Sequence, residues 1–362
     1  MLIAYGLISS NYYLTVTIVA VEISSSFSEF MSPMIFNIGN EATSLAINYT
    51  YADLTEENFK RGLRIVISGG LLGILLSLPL LFFAEKIYPV VYSSLKPLVG
   101  WILLFLCIYM VWIEKNLKKK SFAATIFCLS GLFGLLVKNS GLVSSDYLLL
   151  PVFIGLYGFS SILSKKHENV DLVQDITWVE KTGAAAIAFI TSVFASLMPG
   201  MKRSQASALA LQVGGVSKRE EVMFMLPMIS LAFVTLSIFA LGSSGKIRSD
   251  LAYDIQEVMG ELYFSQTALL TGAVAVSACV SVCLLFLLAK PMGRFFSRIN
   301  KKYLKIFGFC VGVLLIINFT GIYGLILAFT ATCIGILSSR LGIRSTHLMG
   351  VLLLPSIVTA IL

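Results

Sequence analysis

Long apolar runs recur along almost the whole chain and limit what it can fold into. They cover residues 2–21, 63–83, 97–113, 122–137, 147–163, 183–197, 222–241, 267–289, 306–317, 321–337 and 347–362. An α-helix of about 20 apolar residues crosses the hydrocarbon core of a bilayer. Lipid offers no other way for a single span to satisfy its own backbone. Only 13% of the 362 residues are charged, about half the share found in a soluble domain. A soluble enzyme, a disordered chain and a disulfide-rich secreted domain are therefore excluded. The chain reads as an all-α, polytopic membrane helical bundle of about 10–11 spans, multi-pass in the cell membrane. The first run lacks a basic leader and a small-residue cleavage site, so it is expected to remain as a span.

The net charge of +8 does not point to nucleic acid, because the basic residues sit beside membrane segments, where positive-inside bias places them. Cys107, Cys128, Cys279, Cys283, Cys310 and Cys333 lie inside apolar runs and read as small hydrophobes. His167 and His347 are far apart, which disfavours a histidine metal site. No Gly-rich phosphate loop, HExxH or Ser/His/Asp set is present, so neither catalysis nor a cofactor is expected. Two glycosylation-type triplets, starting at Asn48 and Asn318, are read as chance.

Two stretches are apolar but broken. Residues 27–47 contain Pro33, Gly39, Asn37, Asn40, Glu29 and Glu41, and residues 198–213 open with Pro199 and Gly200. Both read as interrupted or re-entrant helices, tolerated at membrane depth only inside protein or beside a cavity. Basic clusters lie at Lys115 to Lys120, at Lys165 and Lys166, between Lys290 and Lys305, and at Arg340 and Arg344. All four reach one side of the membrane only if 198–213 returns the chain to the side where 183–197 began. The charge pattern thus predicts a hairpin centred on Pro199 and Gly200. Gly69 with Gly73, and Gly308 with Gly312, have the spacing of closely packed helices.

A weak internal repeat divides the chain into halves at 1–170 and 171–362, each holding one broken segment followed by further spans. Duplicated bundles with broken helices at the binding site are a common plan of secondary transporters. Whether the halves are parallel or inverted is open, with the charge bias favouring parallel.

The second broken segment brings Pro199, Gly200, Lys202, Arg203, Ser204 and Gln205 together. A helix restarting near Arg203 presents free N–H groups and the positive end of its dipole. Two cations, a hydroxyl and an amide then form an anion cradle. The other reading is a surface loop whose basic pair touches lipid phosphates. In the first half, Asn40, Glu41 and Thr43 offer hard oxygens for a coupling cation. Glu41 is alternatively a proton carrier, or a partner of Arg61 or Arg64. Residues 249–262 alternate at helical spacing and read as an interfacial helix.

Several of these residues carry a resemblance. Leu197-Met198-Pro199-Gly200-Met201 with Ser204-Gln205-Ala206 resembles the "LPGI…QA" segment of the permease subunit of tripartite tricarboxylate transporters, in particular its short, archaeal-type branch. Gly245-Lys246-Ile247-Arg248-Ser249 running into Ile255-Gln256-Glu257 is similar to "GKxRSG…IQE". Phe27-Ser28-Glu29-Phe30 and Asn40-Glu41-Ala42-Thr43-Ser44-Leu45 resemble "FLDF" and "DEDTAL". The matching stretches cover about a third of the chain, and Lys202 and Arg203 stand where small residues are usual. The resemblance implies a transporter.

Residues and resemblance together predict secondary transport of a small anionic substrate, a carboxylate, coupled to a cation or proton gradient. A lipid-phosphate (polyprenyl-phosphate) transporter and a non-transporting membrane assembly subunit are the alternatives. Membrane lipids are expected partners, and a homo-oligomer is compatible with this reading.

Overall fold

The computed structural model describes residues 2–50, 54–114, 116–144, 147–164, 178–198, 200–216 and 218–361. Pro199, Lys115, Lys165, Lys166 and His167 lie outside them. Among the described residues the chain is helical, with no strand. The elements are α1 (Leu2–Ser28), α2 (Met31–Phe36), α3 (Glu56–Ser77), α4 (Leu81–Leu95), α5 (Val99–Trp112), α6 (Leu117–Asn139), α7 (Leu149–Phe153) and α8 (Ser160–Leu163). They continue as α9 (Trp178–Leu197), α10 (Arg203–Val213), α11 (Arg219–Ser244), α12 (Asp250–Met259), α13 (Phe264–Ser297), α14 (Lys301–Leu341) and α15 (Gly350–Ile361). Six described stretches are long and apolar enough to cross a membrane, and shorter apolar helices accompany them. This is a multi-pass helical membrane bundle.

Its axis is α11, whose most apolar stretch is wholly buried inside protein. The glycines of α3 explain how a neighbour comes so near. A Cβ on Gly69 would fall 2.1 Å from the Phe224 carbonyl oxygen, and one on Gly73 would fall 2.4 Å from that of Met228. Backbone lies directly on backbone at both points, which only a residue lacking a side chain permits. Arg61 pairs with Glu220 at 2.6 Å, near the start of each helix. Contacts that advance together in both chains make α3 and α11 parallel. Gly308 is packed against Phe36, and Gly312 against Phe159, so both predicted glycine pairs sit at helix seams. At the periphery Trp101, Phe105, Leu287 and Phe329 are exposed, as lipid-facing residues should be.

Two helices depart from the expected boundaries. The first run continues as helix to Ser28, because Glu22 meets a cation inside the protein. The run at 63–83 does not end there either. A short 3-10 turn at Leu78–Leu80 carries Pro79, and α4 then continues to Leu95 with Pro89 inside it. A hydrogen bond from Tyr88 to the Leu236 carbonyl holds α4 against α11.

The 41 residues of α14 would extend about 60 Å if straight, twice a bilayer's apolar thickness. They are not straight. Gly312 packs on Ile154 and Ala331 on the adjacent Gly155, yet residues 312 and 331 would lie about 28 Å apart on one straight helix. The chain reverses at Gly321, whose φ of 65° and ψ of −158° suit only glycine. Two antiparallel arms result, matching the separate runs at 306–317 and 321–337.

The predicted hairpin is also present. Ile187 of α9 lies beside Gly214 at the far end of α10, so the arms run antiparallel about a tip at 198–202. Gly200 has φ 75°, a left-handed conformation that glycine adopts without steric penalty. The tip reaches Ser230, near the middle of α11. The far end of α10 lies beside the α5–α6 connection, where Gln212 donates to the Met110 carbonyl and accepts from Thr346. That end of the bundle carries Arg61, Lys218, Arg294, Lys301 and Arg344, and positive-inside bias assigns it to the cytoplasm. The opposite end carries α12, with Leu251 and Ile255 buried and Tyr253 exposed, in keeping with the interfacial helix read from 249–262.

Candidate functional site

The two broken segments meet. Helix α1 stops at Ser28 and α2 at Phe36, after which 37–43 loops back toward the hairpin tip. Asn37 ends α2 in the left-handed conformation, and its side-chain amide donates to Ser161. In the loop, Asn40 Oδ1 accepts from both the backbone N–H and the hydroxyl of Thr43, while Asn40 Nδ2 donates to Glu29. Asn40 and Thr43 thus spend their groups on this turn, and Thr43 is buried. Glu41 is left facing the tip.

On the tip, Lys202 caps α10 and Arg203 begins it. Lys202 Nζ lies 3.3 Å from Glu41 Oε2, and the Ser204 hydroxyl donates to Glu41 Oε1 at 2.6 Å. Gln205 is buried, its Oε1 accepting from the Lys202 N–H while its Nε2 donates to Ser356. Arg203 turns the other way, into α1. Its Nη1 lies 3.3 Å from Glu22 and 3.6 Å from Glu29, and it also reaches the hydroxyls of Ser26 and Ser230. Two cations therefore face three carboxylates.

These groups border a cavity of about 320 Å³, within the size range of small-molecule sites. Glu22, Glu41, Gly200, Lys202 and Arg203 form its inner end, and Arg248, Asp250 and Tyr253 its end toward α12. A second, smaller cavity of about 100 Å³ lies at the basic end of the bundle. Serines 160, 161, 164, 338 and 339 line it together with Asn37 and Asn48. The segment 37–50 thus contributes to the walls of both cavities. No group of three or more His, Cys, Asp or Glu suited to a metal ion occurs among the described residues.

Glu22 and Arg248 were not singled out from the sequence as site residues. Glu22, Ser26 and Glu29 stand at i, i+4 and i+7 on one helical face, a polar stripe within an apolar run that could have revealed the partner of Arg203. Arg248 stood only inside a family-like motif.

The sequence matches the tripartite tricarboxylate transporter TctA family over residues 1–350. The chain belongs to that family. This TctA-family protein is accordingly a membrane component of a transporter. It is 23% identical over 299 residues to an uncharacterized protein of Methanocaldococcus jannaschii, an alignment covering 80% of this chain and 73% of that protein. No solved structure matches it significantly.

Proposed function

We propose that this TctA-family protein carries a small carboxylate anion across the membrane, coupled to a proton or cation gradient. Lys202 and Arg203 hold the anion, with Ser204, Gln205 and Gly200 shaping the tip that presents them. Glu41, on a turn formed by Asn40 and Thr43, serves the coupling ion. One observation carries this reading: Lys202 Nζ and Glu41 Oε2 are 3.3 Å apart at the edge of one cavity, although they come from the two broken segments.

The charge inventory supplies a coupling mechanism. With every group ionised, Glu22, Glu29, Glu41 and Asp250 outweigh Lys202, Arg203 and Arg248 by one charge, and an incoming anion meets net repulsion. A like-charge pair at 4 Å costs about 4 kcal/mol at an effective dielectric of 20. Neutralising Glu41 with a proton or a cation frees Lys202 and brings the net charge to zero. The anion and its coupling ion then enter together.

The duplicated plan, with halves 1–170 and 171–362, belongs to the same proposal. Helices α3 and α11 hold corresponding places in the repeat, and their parallel packing supports halves related by an axis along the membrane normal.

The test is a thermal-shift titration of the purified protein with citrate, succinate, inorganic phosphate and a polyprenyl phosphate. Stabilisation by the carboxylates is the expected result. Stabilisation by the lipid phosphate alone would overturn the proposal.

A further inference from the structure

Lys202 and Arg203 are both engaged by carboxylates in this conformation. The cavity they border has a third cation, Arg248, in the connection between α11 and α12. Its guanidinium lies over the ring of Tyr92, 4.6 Å from the centroid. Among the described residues no carboxylate pairs with it. Its Nε and Nη2 are shut off from solvent and have no hydrogen-bond acceptor.

Those two nitrogens form one edge of the planar guanidinium, and an edge with two parallel N–H groups matches the two oxygens of a carboxylate. Desolvated charged donors without acceptors are costly, and burial pushes the Arg248 pKa down, with Tyr92 and Tyr88 opposing this. Stacking on Tyr92 offsets part of the cost but supplies no acceptor. Rotation about the outer side-chain torsions turns the empty edge toward the cavity that Arg248 already lines.

We infer that Arg248 is the docking group for one carboxylate of the transported anion, engaging it side-on through Nε and Nη2. This rests on the transport reading and deepens it, because it assigns the substrate a second contact point at the α12 end of the cavity. One carboxylate is taken by Arg248 at the α12 end of the cavity, and another by Lys202, with Arg203 beside it, at the hairpin tip once Glu41 is neutralised. Arg248 needs only that rotation and no coupling ion, whereas the tip needs Glu41 neutralised. The order of binding follows from that difference.

The experiment measures citrate affinity of the full-length protein in nanodiscs for the wild type, Arg248→Gln, Arg248→Lys and Lys246→Gln. Lys246 sits over the same Tyr92 ring but does not line the cavity, which makes it the control. Arg248→Gln should weaken citrate binding by about tenfold or more while leaving the melting temperature of the ligand-free protein unchanged or higher. Arg248→Lys keeps the charge and loses the paired edge, so a several-fold loss is expected, and this variant serves if Arg248→Gln fails to fold. Lys246→Gln should bind as the wild type does. Wild-type affinity in the Arg248 variants, or a lowered ligand-free melting temperature with unchanged affinity, would assign Arg248 a purely structural role. A wild-type protein that binds no carboxylate would instead overturn the transport reading, and this inference with it.

Discussion

Ser204 donates its hydroxyl hydrogen to Glu41 Oε1 at 2.6 Å across 163 residues of sequence, while Lys202 Nζ takes the other oxygen of the same carboxylate at 3.3 Å. A carboxylate held on both oxygens is a latch between the loop at 37–43 and the hairpin tip. On the proposed coupling it lets go when its charge is cancelled. The four predictions that follow bear on this latch and on the scaffold that aims it.

Replacing Glu41 by Gln mimics the neutral carboxyl. Lys202 is then free for the substrate without a coupling ion, so carboxylate affinity should rise about fivefold, the equivalent of about 1 kcal/mol for a partly exposed pair. Isothermal titration of both proteins with citrate reads this, and an unchanged affinity would show that Glu41 does not restrain Lys202.

Arg203→Gln has two expected effects. It removes a charge-assisted contact to the anion, weakening binding by about tenfold, and it leaves Glu22 and Glu29 facing each other without a cation. The second effect should cost about 1–3 kcal/mol of stability. Adding Glu29→Gln should restore part of the melting temperature without restoring affinity, because the two residues are in contact and non-additive. A double variant as unstable as Arg203→Gln would contradict the pairing.

The α3–α11 seam tolerates no side chain at its glycines. Gly73→Leu should prevent normal packing against Met228 and cost about 3 kcal/mol or more. Gly183→Ala in α9 meets nothing within 4 Å and should be neutral or slightly stabilising. Melting temperatures of the two variants, with size-exclusion profiles, make the comparison.

Acid stability tests the cytoplasmic end of α10. Glu114 Oε1 accepts from Nε2 of the fully buried His347 at 3.1 Å, and this bond, with the nearby Arg344 and Gln212, holds the Glu114 carboxyl below the ordinary value. A depressed carboxylate pKa adds stability above its unfolded value near 4.3, which is lost as pH falls through the folded one. Glu114→Gln should therefore be about 1–2 kcal/mol less stable than the wild type at pH 7 and approach it below about pH 4. Denaturation curves at the two pH values decide, and parallel curves would refute the assignment.

Much of this architecture is legible from residue order, and the exceptions have physical causes. Apolar runs marked the spans because lipid admits little else. The hairpin at 198–202 followed from parity, since basic loops on one side require an even number of crossings between them. The helix ends were harder. The run at 63–83 ends where hydropathy falls, yet the chain goes on helically past Pro79 and Pro89 to Leu95, where Tyr88 holds it against α11. The candidate site was legible as two separate groups. Nothing in the local pattern of either half says that Lys202 faces Glu41 or that Arg203 faces Glu22, because those pairs exist only after the hairpin docks on α1. The unpaired edge of Arg248 is equally a product of tertiary packing.

The reversal at Gly321 also bears on how the protein is made. Each arm of α14 has about the length of a bilayer crossing, and a single residue separates them. A ribosome delivering this stretch exposes no hydrophilic linker at which the first arm could be released alone. The expected consequence is that the second arm follows into lipid while the first is still at the exit, the two being inserted as one unit, and that an epitope or protease site placed at 321 separates them into two events.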